Sequence, residues 1–580
     1  MTLLIALLAL SQSSGPMAYT ELNAARQKGM ATMTPLFSRP KDAEMVKKMA
    51  QEEGDLRQWQ MHVLPALKGW GAEGELWLAL STDQELQLNH NLLFRLESTP
   101  SGWKIGPEIT ELEPQGANLI QDSLGVDLRD MAANKVRITS LQHLKDKPGT
   151  RASYWKINPT YKLTGLKAGE GRNPWNTTIA PEGFIEPPQK GQAVQAGGFI
   201  FVGDSEAHEW LHFTFEAEFD ESAGDRLDEG GAYLTSYWFP HLSRITRPTR
   251  TTILAPKGMK ALGEGELVSL KETKTFDEYT YECKLPVTWS KAVVDNYQEV
   301  GSREVSGVKL RTWQLPPVDK KRSTADLDLM ERALKQYSQY GRFPFKSYVC
   351  ADANGYYGIE SYSFTLIEAK GTTGAVSHEL GHTWFGGMAP CRYIDDSWCE
   401  GVTQYVDSVR LLGDRDGTLI SGFQTMRNNV PLDEMANCWS FGSASYTRGA
   451  YVLHMLEAVI GKDAMTEALR VIAATRDPLL DWHRLRGIFE KASKQNLAWF
   501  WDQWVTSATW PTLKIDAVSG DEVSVVQKGT PKPYRLRFRI LGGDKPVEVT
   551  LDQSSNTFTV PGLSGKTPKL EVFRYTLAKT

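Results

Sequence analysis

The period of the apolar residues changes twice along this chain of 580 residues, and those changes constrain the fold more than any single motif. From about residue 60 to 318 the pattern alternates. Tyr279, Tyr281, Cys283 and Leu285 are separated by Thr280, Glu282 and Lys284, and Gly/Pro punctuation recurs, as in APKGMKALGEGE at 255–266. At PPVDKKRST (316–324) the period becomes helical: Ser323 or Thr324 is expected to cap a helix carrying Leu327, Met330, Leu334 and Tyr337 on one face. YVLHMLEAVIG (451–461), AMTEALRVIAATR (464–476) and HRLRGIFEKASKQ (483–495) continue the helical region, which Pro511 ends. Beyond it Tyr534, Leu536, Phe538 and Ile540 alternate with arginines, LGGDKP turns the chain, and Val547, Val549 and Leu551 alternate back, predicting a hairpin with one buried face.

A chain of this length exceeds one ordinary domain. The periods predict a multidomain α+β protein. Residues 22–318 form an N-terminal antiparallel β-domain, with a division near 140 as an option, and a short helix is expected within DAEMVKKMAQEEGDLRQW at 42–59. Residues 319–511 form a mainly helical domain, and residues 512–580 a small C-terminal β-domain of sandwich type. The first residues, MTLLIALLALSQSSG, hold an apolar run from Leu3 to Leu10 followed by the small-x-small triplet Ala9-Leu10-Ser11. Residues 1–15 therefore read as a signal peptide, although no basic residue precedes Arg26. The expected location is secreted or periplasmic, with the cytoplasm as the alternative. The run is too short to cross a bilayer and no other segment approaches that length, so no transmembrane segment is expected.

Composition excludes some classes of partner. The net charge of −5 comes with both signs dispersed, without the basic stripe a nucleic-acid binder carries. Five cysteines, at irregular spacing and without a CxxC pair, do not make a disulfide framework; a bridge between Cys391 and Cys399 is left open. Eighteen tryptophans imply large cores and sheet faces.

His-Glu-x-x-His occurs twice, as HEWLH (208–212) and HELGH (378–382). Two imidazoles four residues apart reach one ion from the face of a helix, whereas on a strand they stand about 13 Å apart. HEWLHFTFEAEF alternates Leu211, Phe213, Phe215, Ala217 and Phe219 with polar residues, so it is expected to be a strand without metal. GTTGAVSHELGHTWFGGMA (371–389) does not alternate. With Ser377 or Thr373 as its cap, a helix there puts His378 and His382 on one face. A third ligand is needed for a site with one open position. Glu400 heads a helical pattern of Val402, Tyr405, Val406 and Val409 that Gly413 ends, and Asp395 and Asp396 in the preceding loop are its rivals.

HELGHTWFGG followed by SWCEGVTQYV resembles the aminopeptidase N and leukotriene hydrolase family of gluzincin zinc peptidases. ASYTRGAYVLHML (444–456) is similar to the family segment that carries its catalytic tyrosine, and WFWDQWVTSATWP (499–511) to its closing catalytic helix. GGAYLTSYWFP (230–240) and TTILAPKGMKALGEGELV (251–268) resemble its N-terminal β-domain. The resemblance implies a thermolysin-like catalytic domain and one Zn2+ held by His378, His382 and Glu400. It implies Glu379 as general base, Tyr446 as the oxyanion donor, and Glu360 of YGIES (357–361) in the place of the glutamate of the family's GAMEN motif, which grips the substrate's free amine. Two departures stand out. The spacing from His382 to Glu400 is one residue shorter than the family's, and only the glutamate of GAMEN is kept. Residues 512–580 also do not resemble the large helical C-terminal domain of longer members.

The expected function is that of a zinc-dependent aminopeptidase acting on peptide substrates through metal-activated water. A zinc endopeptidase and a catalytically inactive peptide-binding relative are the alternatives.

Overall fold

The computed structural model describes residues 2–573 except 53–54, 67–73, 83–90, 110–118, 145–153, 169–172, 204–207, 220–224, 228–229, 236, 242–245, 356–357, 370–372, 392–397, 414–430, 435–443 and 478. The chain divides into two compact units, Met1–Glu331 with Phe343–Thr383, and Arg332–Arg342 with Trp384–Thr580.

The first unit is built on sheets. Its largest has eight strands and includes Trp210–Glu218, Lys135–Leu144, Leu119–Asp127, Arg247–Pro256 and Phe276–Val287. Alternate residues of Trp210–Glu218 are buried, and Leu211, Phe213 and Phe215 join a core with Ile138, Trp155 and Trp238. The β-domain is mixed rather than antiparallel, because Arg247–Pro256 pairs parallel to Leu119–Asp127. These two strands are joined by a long connection, so no hairpin dictates their direction. The N-terminus forms a helix, Thr2–Gln27, that continues through the segment read as a signal peptide; Ala18 and Leu22 are buried in a core with Met33, Trp59 and Leu78. The short helix expected after residue 42 is present as Pro40–Glu52. Among the described residues no helix is long and apolar enough to cross a membrane.

The region after residue 319 is less helical than the periodicity predicts. After the helix Lys320–Tyr337 come three strands, Ser347–Ala353, Gly358–Glu360 and Phe364–Glu368, which extend the hairpin of Gln298–Val305 and Val308–Gln314 into a five-stranded sheet. Ser347–Ala353 pairs parallel to both Val308–Gln314 and Phe364–Glu368. Both strands are buried along nearly their whole length, which gives a continuous apolar run instead of an alternation. Leu327, Met330, Leu334 and Tyr337 are buried as expected. The cap is neither Ser323 nor Thr324, however. Asp319 accepts from the amides of Lys321 (2.8 Å) and Arg322 (3.0 Å), the geometry for which aspartate is favoured at a helix start.

The second unit holds the helices Trp398–Tyr405, Gly449–Ile460, Lys462–Ala474, Trp482–Ser493 and Ala498–Trp504. Trp398–Tyr405 runs on into a π-helical turn, Val406–Leu411, and a second such turn, Ala444–Arg448, leads into Gly449–Ile460. The first and second of these helices approach closely. A Cβ built on Gly449 would stand 2.7 Å from the Cα of Gly401. Two three-stranded sheets follow, and Leu536–Leu541 pairs antiparallel to Val547–Leu551 in the expected hairpin.

Candidate metal centre and its neighbours

Of the two His-Glu-x-x-His segments, only HELGH is helical. Val376–Gly381 is a short, wholly buried helix, and His382 caps its C-terminus with helical backbone angles, φ −62° and ψ −19°. Neither expected cap is used. Thr373 opens a preceding 3-10 turn, Thr373–Ala375, and Ser377 is buried inside the helix. The 3-10 turn leads directly into the α-helix and so does what a capping side chain would do. His208 and His212 flank and enter the strand Trp210–Glu218, and neither belongs to a metal-competent cluster among the described residues.

The Nε2 atoms of His378 and His382 lie 3.1 Å apart. Two histidines bound to zinc at ~2.0–2.1 Å and a tetrahedral angle hold their nitrogens about 3.3 Å apart, so the spacing fits. A carboxylate oxygen of Glu400 lies within 4.8 Å of both imidazoles, and all three side chains are buried. Glu400 sits in the first turn of Trp398–Tyr405, as its sequence pattern predicts. Its rivals Asp395 and Asp396 lie outside the described residues. Cys391 and Cys399 are both fully buried.

Glu379, Glu360 and His382 form a second cluster with the same 4.8 Å limit. Glu360 ends the edge strand Gly358–Glu360 and is partly exposed. That strand passes close to Glu379: a Cβ on Gly358 would stand 2.7 Å from the Glu379 Oε1. Tyr348, fully buried in the strand Ser347–Ala353 of the same sheet, has its hydroxyl held well above the ordinary tyrosine range by burial and then by the Glu379 carboxylate. Tyr357 lies outside the described residues. Tyr446 is in the π-helical turn Ala444–Arg448, which packs against the Glu400 helix, and its side chain is half-buried.

Two residues near Glu360 carry no local sequence signal. Lys291 is buried; its ammonium donates to the Glu360 carbonyl and lies 3.8 Å from the Glu360 Oε1. Glu264 is buried and accepts from the Ser361 and Ser363 hydroxyls and from the amides of Tyr362 (3.2 Å) and Ser363 (2.8 Å), which fixes the backbone following Glu360. Burial pushes its carboxyl up, against the opposing pull of those hydrogen bonds.

No family model matches the chain. Aminopeptidase N of Haemonchus contortus is 20% identical over 336 residues, 48% of this chain and 34% of that protein. Human endoplasmic reticulum aminopeptidase 1 is 24% identical over 240 residues, 35% of this chain and 25% of that protein. Probable aminopeptidase 1 of Saccharolobus solfataricus is 18% identical over 358 residues, 53% of this chain and 45% of that protein. Among solved structures, Legionella pneumophila aminopeptidase A in complex with aspartic acid superposes with a TM-score of 0.64 at 14% identity, covering 80% of this chain and 59% of that one. The chain resembles the aminopeptidase N family. This aminopeptidase-like chain matches less than half the length of each of the three curated relatives, and its likeness to the Legionella structure is one of fold.

Proposed function

We propose that the chain is a zinc-dependent aminopeptidase that hydrolyses the N-terminal bond of peptides. The observation that carries this reading is the convergence of the His378 and His382 Nε2 atoms, 3.1 Å apart, on a Glu400 oxygen. Two imidazoles and one carboxylate are the donor set of a catalytic zinc site with an open position. When bound, zinc would lower the pKa of water toward about 7 and polarise the substrate carbonyl.

The remaining roles belong to the protein. Glu379 follows a ligand histidine and is buried beside the cluster, placed to take a proton from water and return it to the leaving amine. Tyr446 would donate a hydrogen bond to the oxyanion of the attacked carbonyl; one such donor is typically worth about 2.7–4 kcal/mol. Glu360 would receive the substrate's α-ammonium and thereby fix which bond reaches Glu379. The layout of 22–318, 319–511 and 512–580 belongs to the same proposal.

The test compares one peptide with a free and with an acetylated N-terminus, using zinc-loaded protein. Release of the first residue from the free form alone is expected. Equal cleavage of both forms would identify an endopeptidase, and no cleavage across a peptide panel would identify an inactive relative.

A further inference from the structure

The carboxylate proposed to receive the substrate's amine already has a cation beside it. Lys291 directly precedes the strand Ala292–Asp295 and is only 5% exposed. Its ammonium is 3.8 Å from the Glu360 Oε1 and donates to the Glu360 carbonyl, so the charge is held against the side chain and backbone of one residue. The nearby carboxylate, Glu264, is engaged by two hydroxyls and two backbone amides. Lys291 forms its ion pair with Glu360, and its charge also reaches the buried Glu264.

Charges so little exposed are weakly screened. An arriving α-ammonium would meet a carboxylate whose charge is shared and a second cation within a few ångströms. Its advantage over an uncharged N-terminus is correspondingly reduced. We infer that Lys291 is a specificity-determining residue: by sharing the Glu360 carboxylate with the incoming N-terminus, it narrows the margin by which the site binds a charged N-terminus over an uncharged one. This rests on the reading of Glu360 as the amine-receiving group.

The experiment measures binding of phenylalaninamide and of N-acetylphenylalaninamide to the zinc-loaded full chain by calorimetry. Lys291→Gln removes the charge and keeps a donor for the Glu360 carbonyl. Lys291→Met removes both, and Lys291→Arg keeps the charge. The wild type is expected to bind the two amides within tenfold of each other. Both uncharged variants should widen the preference for the free amine at least tenfold, and Lys291→Arg should leave it as in the wild type. An unchanged preference in Lys291→Gln and Lys291→Met overturns the inference, and so does the absence of binding of either amide to any of the proteins. Glu360→Gln separates the two readings. If it leaves the preference untouched, the role of Glu360 itself fails. If it abolishes the preference while Lys291→Gln does nothing, only the role of Lys291 fails.

Discussion

Gly401 and Gly449 touch backbone to backbone: a Cβ on either would stand 2.7–3.0 Å from the other's Cα, with the Trp482 ring closing the same gap. Gly401 follows the candidate ligand Glu400, and Gly449 lies just beyond the turn that carries Tyr446. The close approach therefore sets the spacing between the backbones that bear those two side chains. Gly449→Ala should destabilise the protein by about 1–3 kcal/mol, the usual cost of overpacking. Denaturant unfolding would measure it, and a variant as stable as the wild type would show that the helices can separate freely.

Removing a ligand should remove the metal. His382→Ala and Glu400→Gln are expected to lower the zinc bound per chain well below one equivalent under dialysis that leaves the wild type loaded. Chelation of the wild type should lower its melting temperature, because an ion that binds only the folded chain stabilises it by mass action. Elemental analysis together with a melting curve checks both outcomes.

Glu379→Gln keeps the shape of the side chain and loses the base. The variant should retain zinc while turnover falls by about 10²–10⁴-fold, the range for a positioned acid–base group. Zinc content and kcat measured on the same preparation decide it; retained turnover would exclude Glu379 as the base.

Asp326 provides a pH signature away from the site. Burial pushes its carboxyl up to about 7, against the opposing pull of Arg322, and Asp352 adds to the rise. The Arg322 guanidinium is taken up by Asp352, at 2.5 and 2.6 Å, and the Asp326 Oδ1 is buried without a hydrogen-bond partner. In the unfolded chain an aspartate titrates near ~3.9. The folded state thus holds the proton longer, so this contribution to stability is fully present below about pH 4 and is lost as pH rises through about 7. Asp326→Asn should gain on the wild type by roughly 2–4 kcal/mol between those limits. Parallel urea titrations at pH 4.5 and 8 would show it, and an equal change in unfolding free energy between the two pH values for both proteins would refute it.

What the sequence disclosed was local. A helical setting for HELGH, a strand for HEWLH and a helix headed by Glu400 all follow from periods of a few residues, and the structure has each of them. The hairpin of Leu536–Leu541 and Val547–Leu551 follows in the same way. The sheet inside the helical region was missed because SYVCADA and FTLIE are buried on both faces and show no period. The cap at Asp319 was missed because Ser323 and Thr324, the two capping residues the period singles out, follow only about a turn later, and backbone geometry decides where the helix starts. Lys291 and Glu264 were invisible for another reason. They meet their partners across 69 and 97 residues, and no pattern in a single sequence encodes a contact at that range.

The buried Glu264 also bears on how this protein can be taken apart. The segment Ser361–Ser363 is fastened by a carboxylate from well before residue 319, and Lys291 reaches Glu360 from the same stretch. A fragment begun at the helix Lys320–Tyr337 would carry every candidate metal ligand and neither of those two residues. Such a fragment would keep Glu360 but lose both residues that hold it and the backbone after it, together with the strands Gln298–Val305 and Val308–Gln314 of its sheet. The candidate metal ligands and the setting of Glu360 are thus written in different stretches of the chain, and a graft of the first would leave the second behind.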